Sequence, residues 1–587
     1  MPRQTSLVGR YITYSELFDR RPTWDELISL VKALPLLDAL TNIAKINLSL
    51  RYALQEHNRP NWGRLQQALV ANFVNDDAFK RLQDRFAHES TDDRPIFLPA
   101  NVLNVAKVVL MHSQNDRPLS DSDSPELRYA IGTACLMLND LLLSEEEEHQ
   151  ITVGDQDARR LALLVQMLPQ FELANPPAAH HLLFRYQIMF RTLLAQPGVR
   201  ARISQACRTF DFRAEFEKLA GIDLDRWLHV VFSLYAYFLN GGDVFDPRPE
   251  FFYFDPKKSI EQTQVTETEL AAVLKTIALA PADLGREVSK ERPTDLRFDF
   301  IPFRSSPIFQ VETARFACLD IALLLEKVHT GVHWVLHDAN AHDPQKRYDL
   351  FQAWGILFEE YVHWLLHGMK TNLSVKYFRS PSWKGDGGES FDGILLDKAV
   401  LVPMEYKGGF LARKARYSGI SEDFVKDVED KFVPGSIQLA KKIGWLFGES
   451  EAKAKSIEGT STDQIRAIVP VLVLQDHILR VPFLNWLLNK RFLHELAKHK
   501  LRAGTLVRPL NVVNIHELET MVNSAEASEF DLIYALHHRA VRDEEMLANL
   551  QEFLMQFPTY GREQSPRTKD VYNELKGHMF SYLFPSS

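Results

Sequence analysis

Between residue 1 and about residue 290, apolar residues recur at the spacing of a single helix face, which predicts a mainly α-helical region. The clearest periods lie at residues 23–50, 157–171 and 225–240. Proline- and glycine-containing segments at 175–181 and 240–250 interrupt the pattern as loops do. The sequence holds no GxxxxGK[ST] loop, which argues against an ATPase. It also shows no evident repeat of fixed period that would support a regular solenoid. We therefore interpret residues 1–295 as an α-helical module of unknown role.

The pattern changes near residue 297, where an aromatic, proline-punctuated segment begins. The spacing then predicts two helices, three strands, a helix and an apolar strand, at residues 314–336, 350–369, 373–378, 390–397, 400–409, 436–447 and 465–475. The order of helix, three strands, helix and strand is typical of a compact α/β unit. We expect an α/β domain with a central mixed sheet over residues 296–480, its core at about 345–480.

The remaining residues, 481–587, predict a mainly helical C-terminal extension. A basic helix is expected at 483–502, a strand at 512–516 and a last long helix at 530–557. The fold class that follows is multidomain, α-helical in its first half and α/β in its middle.

Composition narrows the class of protein. A chain of 587 residues is too long for one core, and 45% hydrophobic with 25% charged residues is ordinary for a globular protein. No apolar run approaches the roughly 20 residues that span a bilayer, and the N-terminus lacks an apolar signal region, so we expect a cytoplasmic protein without a membrane partner. Three cysteines without a CxxC pair argue against a disulfide framework and a cysteine-rich zinc site.

Net charge and histidine content do not decide the function. The net charge of −9 counts against a general nucleic-acid coat, although a local basic surface suffices for phosphate contacts. The histidine pairs at 180–181 and 537–538 have no second ligand at a metal spacing, and we expect them to be structural or solvent-facing.

The strands at 390–397 and 400–409 carry the candidate chemistry. A two-residue turn at 398–399 would place Asp392 opposite Glu405 in an antiparallel pair. Because side chains alternate along a strand, Glu405 and Lys407 share one face, and Asp392 lies on the same face.

This arrangement is suited to a divalent cation. Two carboxylates opposite each other repel and destabilise a sheet, whereas Mg²⁺ or Mn²⁺ between them removes that cost. Lys407 can orient or help deprotonate a water, or stabilise charge on a phosphate. Together these groups are the parts for metal-assisted hydrolysis of a phosphodiester.

Asp392 followed by Glu405, Tyr406 and Lys407 on the next strand resembles the D…(D/E)xK motif of the PD-(D/E)XK nuclease superfamily. The resemblance covers roughly residues 345–480 and includes the order of helices and strands. It implies catalytic roles for Asp392, Glu405 and Lys407.

The resemblance also implies a metal-ligating glutamate on the helix before the sheet, which here is Glu359. The spacing of Gly355, Phe358 and Val362 puts Glu359 on the inward face of that helix and Glu360 on the outward face. The alternative is an ordinary helix acid paired with an arginine.

Two residues depart from the family pattern. Phe391 stands where the family name has proline, which changes little. Pro403 lies inside a predicted strand, where it removes a ladder donor and indicates a bulge or an edge position.

Basic residues near this motif are candidates for contact with a nucleic acid. Arg413, Lys414 and Arg416 lie on a glycine-flanked segment after the second strand. On the following helix Gln438, a position that some family members use near the active site, precedes Lys441 and Lys442. The basic run at 490–502 would extend that surface.

The resulting hypothesis is a Mg²⁺- or Mn²⁺-dependent endonuclease that acts on DNA. By analogy, large bacterial proteins of this kind resemble restriction and anti-phage defence nucleases, whose partner subunits supply ATPase or sensing activity. A homo-oligomer is equally compatible with the sequence. The alternatives are an RNA-directed nuclease and a catalytically silent module that binds nucleic acid or a partner.

Overall fold

The first half of the protein is built almost entirely from helices. The computed structural model describes residues 12–54, 62–86, 95–114, 124–142, 155–174, 176–207, 210–242, 248–290, 296–369, 375–381, 391–448, 456–543 and 545–583. The helices before residue 290 are α1 (Tyr14–Phe18), α2 (Trp24–Lys32), α3 (Leu36–Ala53), α4 (Trp62–Phe73), α5 (Asp76–Phe86), α6 (Pro99–His112), α7 (Pro125–Leu141), α8 (Gln156–Ala174), α9 (Ala179–Arg185), α10 (Pro197–Ala206), α11 (Phe212–Ala220), α12 (Leu224–Leu239), α13 (Pro256–Gln262), α14 (Glu267–Ile277) and α15 (Pro281–Val288). A π-helical stretch, Tyr186–Leu193, continues α9, and a two-residue strand β1 (Ala278–Leu279) follows α14. The α-helical first half is thus confirmed.

Local sequence explains where several of these helices begin. At α2 the Thr23 side chain accepts the N–H of Glu26, and the Glu26 carboxylate accepts the N–H of Thr23. Thr266 and Glu269 form the same reciprocal cap at α14. Such a capping box satisfies two of the backbone donors that the first helical turn leaves without a partner.

The middle of the chain mixes helices and strands. Its elements are α16 (Ile301–Ser305), β2 (Ile308–Glu312), β3 (Arg315–Cys318), α17 (Ile321–Glu326), a π-helical turn (Lys327–Gly331), α18 (Val332–Ala339), α19 (Pro344–His367), β4 (Lys376–Arg379), β5 (Gly393–Asp397), β6 (Val400–Lys407), α20 (Arg413–Tyr417), α21 (Ser421–Lys431), α22 (Val433–Phe447), β7 (Ser456–Ile457), β8 (Thr460–Ser461), β9 (Ala467–Ile468) and β10 (Val471–Leu474). The predicted helix at 350–369, the three strands after it and the helix at 436–447 are all present. A multidomain combination of α and α/β structure agrees with this element order.

Two predictions in this region need correction. The helix expected at 314–336 is wrong at its start, because Arg315–Cys318 form β3 and pair antiparallel with β2. Its helical part begins only at Ile321, where the Asp320 side chain accepts the N–H groups of Ala322 and Leu323. The apolar strand expected at 465–475 is divided into β9 and β10.

The C-terminal segment contributes to the same sheet as the middle segment. It contains α23 (Leu484–Leu496), β11 (Leu506–Val507), β12 (Asn511–Asn514), α24 (Ile515–Ala527), α25 (Leu532–Arg542), α26 (Leu550–Leu554) and α27 (Pro566–Leu583). The single long helix expected at 530–557 is wrong, because α25 ends at Arg542 and the Asp543 carboxylate accepts the N–H groups of Leu547 and Ala548. The predicted strand at 512–516 corresponds to β12.

The central sheet is mixed. Along its main path the order is β11–β9–β6–β10–β12, and β5 pairs with both β4 and β6. The β4–β5 and β5–β6 pairs are antiparallel, whereas β6, β9, β10, β11 and β12 pair in parallel. The antiparallel hairpin that carries the candidate residues is therefore continuous with a parallel sheet.

The register of the β5–β6 hairpin agrees with the predicted turn. Asp397 pairs with Val400 and Ile394 pairs with Pro403, and Lys398 in the turn has φ of 50°. Pro403 nevertheless lies neither at an edge nor in a bulge of this hairpin. It lies in the interior strand β6, and since proline donates no N–H, the neighbouring ladder is interrupted there: Val400–Leu401 pair with β9 and Met404–Lys407 pair with β10.

The two faces of the sheet pack against different helices. Met404 belongs to a core that includes Phe358 of α19. Leu401 and Leu472 belong to another core with Leu439 of α22. The first of these cores also contains residues from all three predicted segments, for example Phe190, Trp354 and Val513. Across the described ranges, no helix has the length and apolar character required to cross a bilayer.

Candidate metal centre

Asp392 lies at the start of β5, where the hairpin ladder becomes irregular. The regular pairs end at Gly393 and Met404, and the Asp392 N–H donates to the same Met404 carbonyl at 3.1 Å. Asp392 is therefore out of register with the direct pairing to Glu405 that the turn predicted. Its Oδ2 atom instead accepts the N–H of Tyr406 at 2.7 Å, which fixes the carboxylate beside the third strand.

Glu405 is a buried acid on β6, with 2% of its surface exposed. Its Oε1 atom accepts a hydrogen bond from Nζ of Lys442, and Nζ of Lys407 lies 3.6 Å from Oε2. Burial and the nearby charge of Asp392 raise the pKa of Glu405 to about 7, although both lysines act in the opposite direction. The structure thus brings Asp392, Glu405 and Lys407 together, as the sequence predicted.

The first turns of α22 cover this cluster. Nζ of Lys407 donates to Oε1 of Gln438 at 3.1 Å, and Lys442 lies one helical turn beyond Gln438 on the same face. A Cβ atom on Gly435 would lie 2.7 Å from Cε of Lys407 and 2.8 Å from Cδ1 of Leu472. Gly435 therefore leaves the space that the Lys407 side chain occupies.

The opposite face of the hairpin carries a chain of hydrogen-bonded rings. The Tyr377 hydroxyl contacts Nδ1 of His363 and lies 3.3 Å from the Tyr406 hydroxyl. A Cβ atom on Gly393 would lie 2.2 Å from the Tyr406 hydroxyl, so only glycine allows the two tyrosines to approach across β5. Nε2 of His363 lies 3.3 Å from Oε1 of Glu359 on α19, where this series of hydrogen-bonded side chains ends.

Glu359 is held by groups other than Asp392 and Glu405. Its carboxylate accepts two hydrogen bonds from Arg202, at 2.8 and 2.9 Å. Burial opposes ionisation, but His363 and Arg202 outweigh it and lower the pKa of Glu359. Glu359 is therefore a helix acid paired with an arginine, which is the alternative that the sequence left open.

The predicted orientation of Glu360 is wrong. Its side chain is 9% exposed, against 23% for Glu359. Arg202 donates to Oε1 of Glu360 at 2.7 Å and Arg379 of β4 to Oε2 at 2.9 Å. Arg202, about 160 residues earlier, and Arg379, on the strand that follows α19, therefore enclose Glu360, which the spacing had placed on the outward face of the helix.

The basic segment after β6 is paired with acids from other elements. It is not a loop throughout, since Arg413–Tyr417 form α20. Arg413 contacts Asp338 and Lys414 contacts Asp423. The Arg416 side chain, 2% exposed, contacts buried Asp476. Of the three cations only Lys414, at 77%, has a largely exposed side chain.

Among the other cations predicted to contact a nucleic acid, most also lie close to acidic side chains. Lys441 is exposed and its charge acts on Glu495 of α23, whereas Lys442 reaches Glu405. In the run at 490–502, acidic partners face the basic side chains in the pairs Lys490–Asp157, Arg491–Glu429, Lys498–Glu495 and Arg502–Asp463.

A second group of metal-binding residue types lies away from this cluster. His181, His516 and Glu519 have ligand atoms within 4.8 Å of one another, so His181 does have ligand-type neighbours, from a segment more than 300 residues away. However, Arg185 donates to both oxygens of Glu519, at 2.6 and 2.9 Å, and its NH2 group lies 2.7 Å from Nδ1 of His516. A guanidinium among the ligand atoms disfavours a cation, and we interpret the group as a buried ion pair.

Sequence reasoning missed two features of the site. Lys442 was assigned to nucleic-acid contact, although its spacing from Gln438 already placed both on one helix face. Gly435 carried no signal that would separate it from an ordinary glycine near a helix start. Comparisons with protein-family models, with curated proteins and with solved structures returned no match, so the site rests on its own geometry.

Proposed function

We propose that this protein is a divalent-metal-dependent phosphodiesterase that acts on DNA, with Asp392 and Glu405 as metal ligands. The observation that carries the proposal is the burial of the Glu405 carboxylate beside the Asp392 carboxylate, an arrangement that raises the pKa of Glu405. Two hard oxygen donors whose charges oppose each other fit Mg²⁺ or Mn²⁺, and water completes the shell of such an ion. Held there, the ion would lower the pKa of a bound water and neutralise charge on the phosphate.

The order of elements supports the same proposal. Helix α19, strands β4, β5 and β6, helix α22 and strand β10 follow each other as the resemblance to the PD-(D/E)XK superfamily implies. The candidate residues occupy the second and third of these strands. The proposed boundaries need one extension, because β12 from beyond residue 480 pairs with β10.

The side chains have distinct roles in the proposed reaction. The Tyr406 N–H holds Asp392 in place. Lys407 lies on the same face as Glu405 and positions the attacking water or the scissile phosphate, while Gln438 holds its ammonium. Glu359 is outside the proposed ligand set, because Arg202 and His363 already bind its carboxylate.

The test is cleavage of plasmid, linear and single-stranded DNA and of matched RNA with Mg²⁺ or Mn²⁺. Asp392→Asn and Lys407→Met are expected to reduce cleavage by a factor on the order of 10² or more. Asp397→Asn, at the other end of β5, is the matched control and is expected to cut normally. Equal cleavage by Asp392→Asn and the unsubstituted chain would refute the proposed site, and preferential cleavage of RNA would reassign the substrate.

A second candidate function is metal-independent binding of a nucleic acid or partner. It is favoured by the positions of Lys407 and Lys442, whose ammonium groups both lie within ion-pair distance of Glu405. Under this alternative calorimetry detects no Mn²⁺ binding, and Lys407→Met leaves metal-independent binding unchanged.

A further inference from the structure

A cavity of about 240 Å³ lies away from the candidate metal centre, between α16, the π-helical turn, α18 and α20. One water needs roughly 10–15 Å³ of such space, so the cavity has room for a small organic molecule. Much of its wall is apolar, from Leu323, Trp334, Val335 and Leu411.

The arginines in the wall are already paired with carboxylates. Arg304 donates to Glu326 at 2.6 Å. Arg413 contacts Asp338 at 2.5 Å, as described for the basic segment, and Arg416 contacts Asp476. These ion pairs fix the polar part of the cavity without filling it.

Lys327 is the exception among the cations of the wall. It is buried, with 5% of its surface exposed, and its Nζ donates to the backbone carbonyl of Ser305 at 2.9 Å. Among the described residues no carboxylate lies within ion-pair distance of this ammonium, which has three donors. Burying a charge without a counter-charge is costly, so an anion beside Lys327 would be stabilised.

The acids nearest to Lys327 act on it from beyond ion-pair distance, because Glu326 contacts Arg304 and Asp338 contacts Arg413. Burial raises the pKa of Glu326 to about 7, even though Arg304 opposes this shift. Burial and Arg304 lower the pKa of Lys327 to about 8, so that its amine is still largely protonated at pH 7.

The backbone places Lys327 at the cavity wall. Lys327–Gly331 form a π-helical turn between α17 and α18, a feature that is frequent at functional sites. A Cβ atom on Gly331 would lie 2.9 Å from Cδ of Lys327 and 3.2 Å from its Cβ. Because Gly331 has no side chain, there is room for the aliphatic part of the Lys327 side chain.

We propose that this cavity binds a small organic anion with an apolar or aromatic body, whose anionic group is received by the Lys327 ammonium and whose body packs against Trp334 and Val335. The site is independent of the proposed nuclease activity. Its wall nevertheless includes Leu411, which the chain reaches four residues after Lys407.

Calorimetric titration of the full chain tests the proposal, with benzoate, phenyl phosphate and benzenesulfonate as anionic probes and benzamide as the neutral match. At least one anion is expected to bind about tenfold more tightly than benzamide, because its charged group accepts a charge-assisted hydrogen bond from the ammonium. Lys327→Met, which retains the aliphatic stem, should lose that advantage. Val335→Phe, which fills the cavity and keeps the amine, should weaken all four probes.

Lys426→Met is the matched control, since Lys426 is exposed on α21 and lies outside the cavity wall. It is expected to bind the anions like the unsubstituted chain. The proposal is overturned if no anion binds better than benzamide, or if both Lys327→Met and Val335→Phe bind the anions unchanged. If Lys327→Met does not fold, the comparison of Val335→Phe with Lys426→Met decides the question.

Discussion

The Lys442 ammonium contacts Oε1 of Glu405, so a lysine side chain lies against the carboxylate that the proposed function assigns to a metal ion. The Lys442 ammonium and a bound metal ion would both favour the ionised form of Glu405, so they would compete for its carboxylate. In the same position the Lys442 ammonium lies 5.7 Å from the centre of the Phe391 ring. Metal binding and a movement of Lys442 are therefore expected to be coupled.

The first prediction concerns that competition. Lys442→Met is expected to tighten Mn²⁺ binding by about tenfold or more, because a hydrogen bond to a charged group contributes about 1.5–3 kcal/mol. Calorimetry of the full chain measures the change. Lys441→Met is the control and should bind Mn²⁺ normally. Lys441 is the exposed neighbour of Lys442, and its charge lowers the pKa of Glu495. Weaker binding by Lys442→Met would mean that Lys442 supports the site rather than competing for it.

The second prediction concerns the space around Lys407. Gly435→Ala places a Cβ atom 2.7 Å from Cε of Lys407, so the ammonium must move away from Gln438. Single-turnover cleavage should fall about tenfold or more, while Mn²⁺ binding by Asp392 and Glu405 is retained. Gly355→Ala in α19 is the control, since a Cβ there meets nothing within 4 Å. Normal cleavage by Gly435→Ala would show that the position of Lys407 is unimportant.

The third prediction separates two cations of the basic segment. Lys414→Met should weaken DNA binding for all sequences and reduce the slope of log K against log salt by about 1. Arg416→Met should instead destabilise the fold by about 3–5 kcal/mol, because it leaves Asp476 buried without its partner. Fluorescence anisotropy at several salt concentrations and denaturant unfolding measure the two effects. An unchanged salt slope for Lys414→Met would remove this segment from the proposed DNA contact.

The fourth prediction concerns the acid sensitivity of the fold. Burial opposes ionisation of Glu519, but Arg185 and His181 outweigh it and lower its pKa to about 2. The stabilisation is therefore present above the unfolded pKa of about 4.5 and is lost as pH falls toward 2. Glu519→Gln should cost about 3–5 kcal/mol in the free energy of unfolding at pH 7, and this difference should shrink below pH 4.5.

Unfolding by denaturant across this pH range checks that prediction. Exposed Glu422→Gln is the control and should show little difference at any pH. A cost for Glu519→Gln that stays constant from pH 7 to pH 2.5 would mean that ionisation of Glu519 contributes nothing to stability.

The hairpin was predictable because alternation and turn chemistry are local. A two-residue turn sets the register, and the register sets which face carries Glu405 and Lys407. Pro403 indicated a bulge, but the irregularity lies at Asp392, whose N–H donates to the carbonyl of Met404, the residue that pairs with Gly393. That displacement depends on how the strand begins, which periodicity does not describe.

Long-range pairing explains the remaining differences. Glu360 is buried because Arg202, from a helix about 160 residues earlier, reaches it and Glu359 together. Arg416 is buried by the same kind of contact, with Asp476. Helical spacing identifies which residues share a face, whereas the partner that neutralises a charge comes from another part of the chain.

Strand β12 pairs along the whole of β10, from Val471–Asn511 to Leu474–Asn514. A ribosome that has synthesised the chain as far as Leu474 has therefore made every acid of the proposed centre, but not the strand that covers the open edge of β10. An uncovered edge invites pairing with other chains. A fragment ending at residue 480 would carry the same exposed edge, and the order of synthesis thus delays completion of the central sheet until the chain beyond Asn514 has emerged.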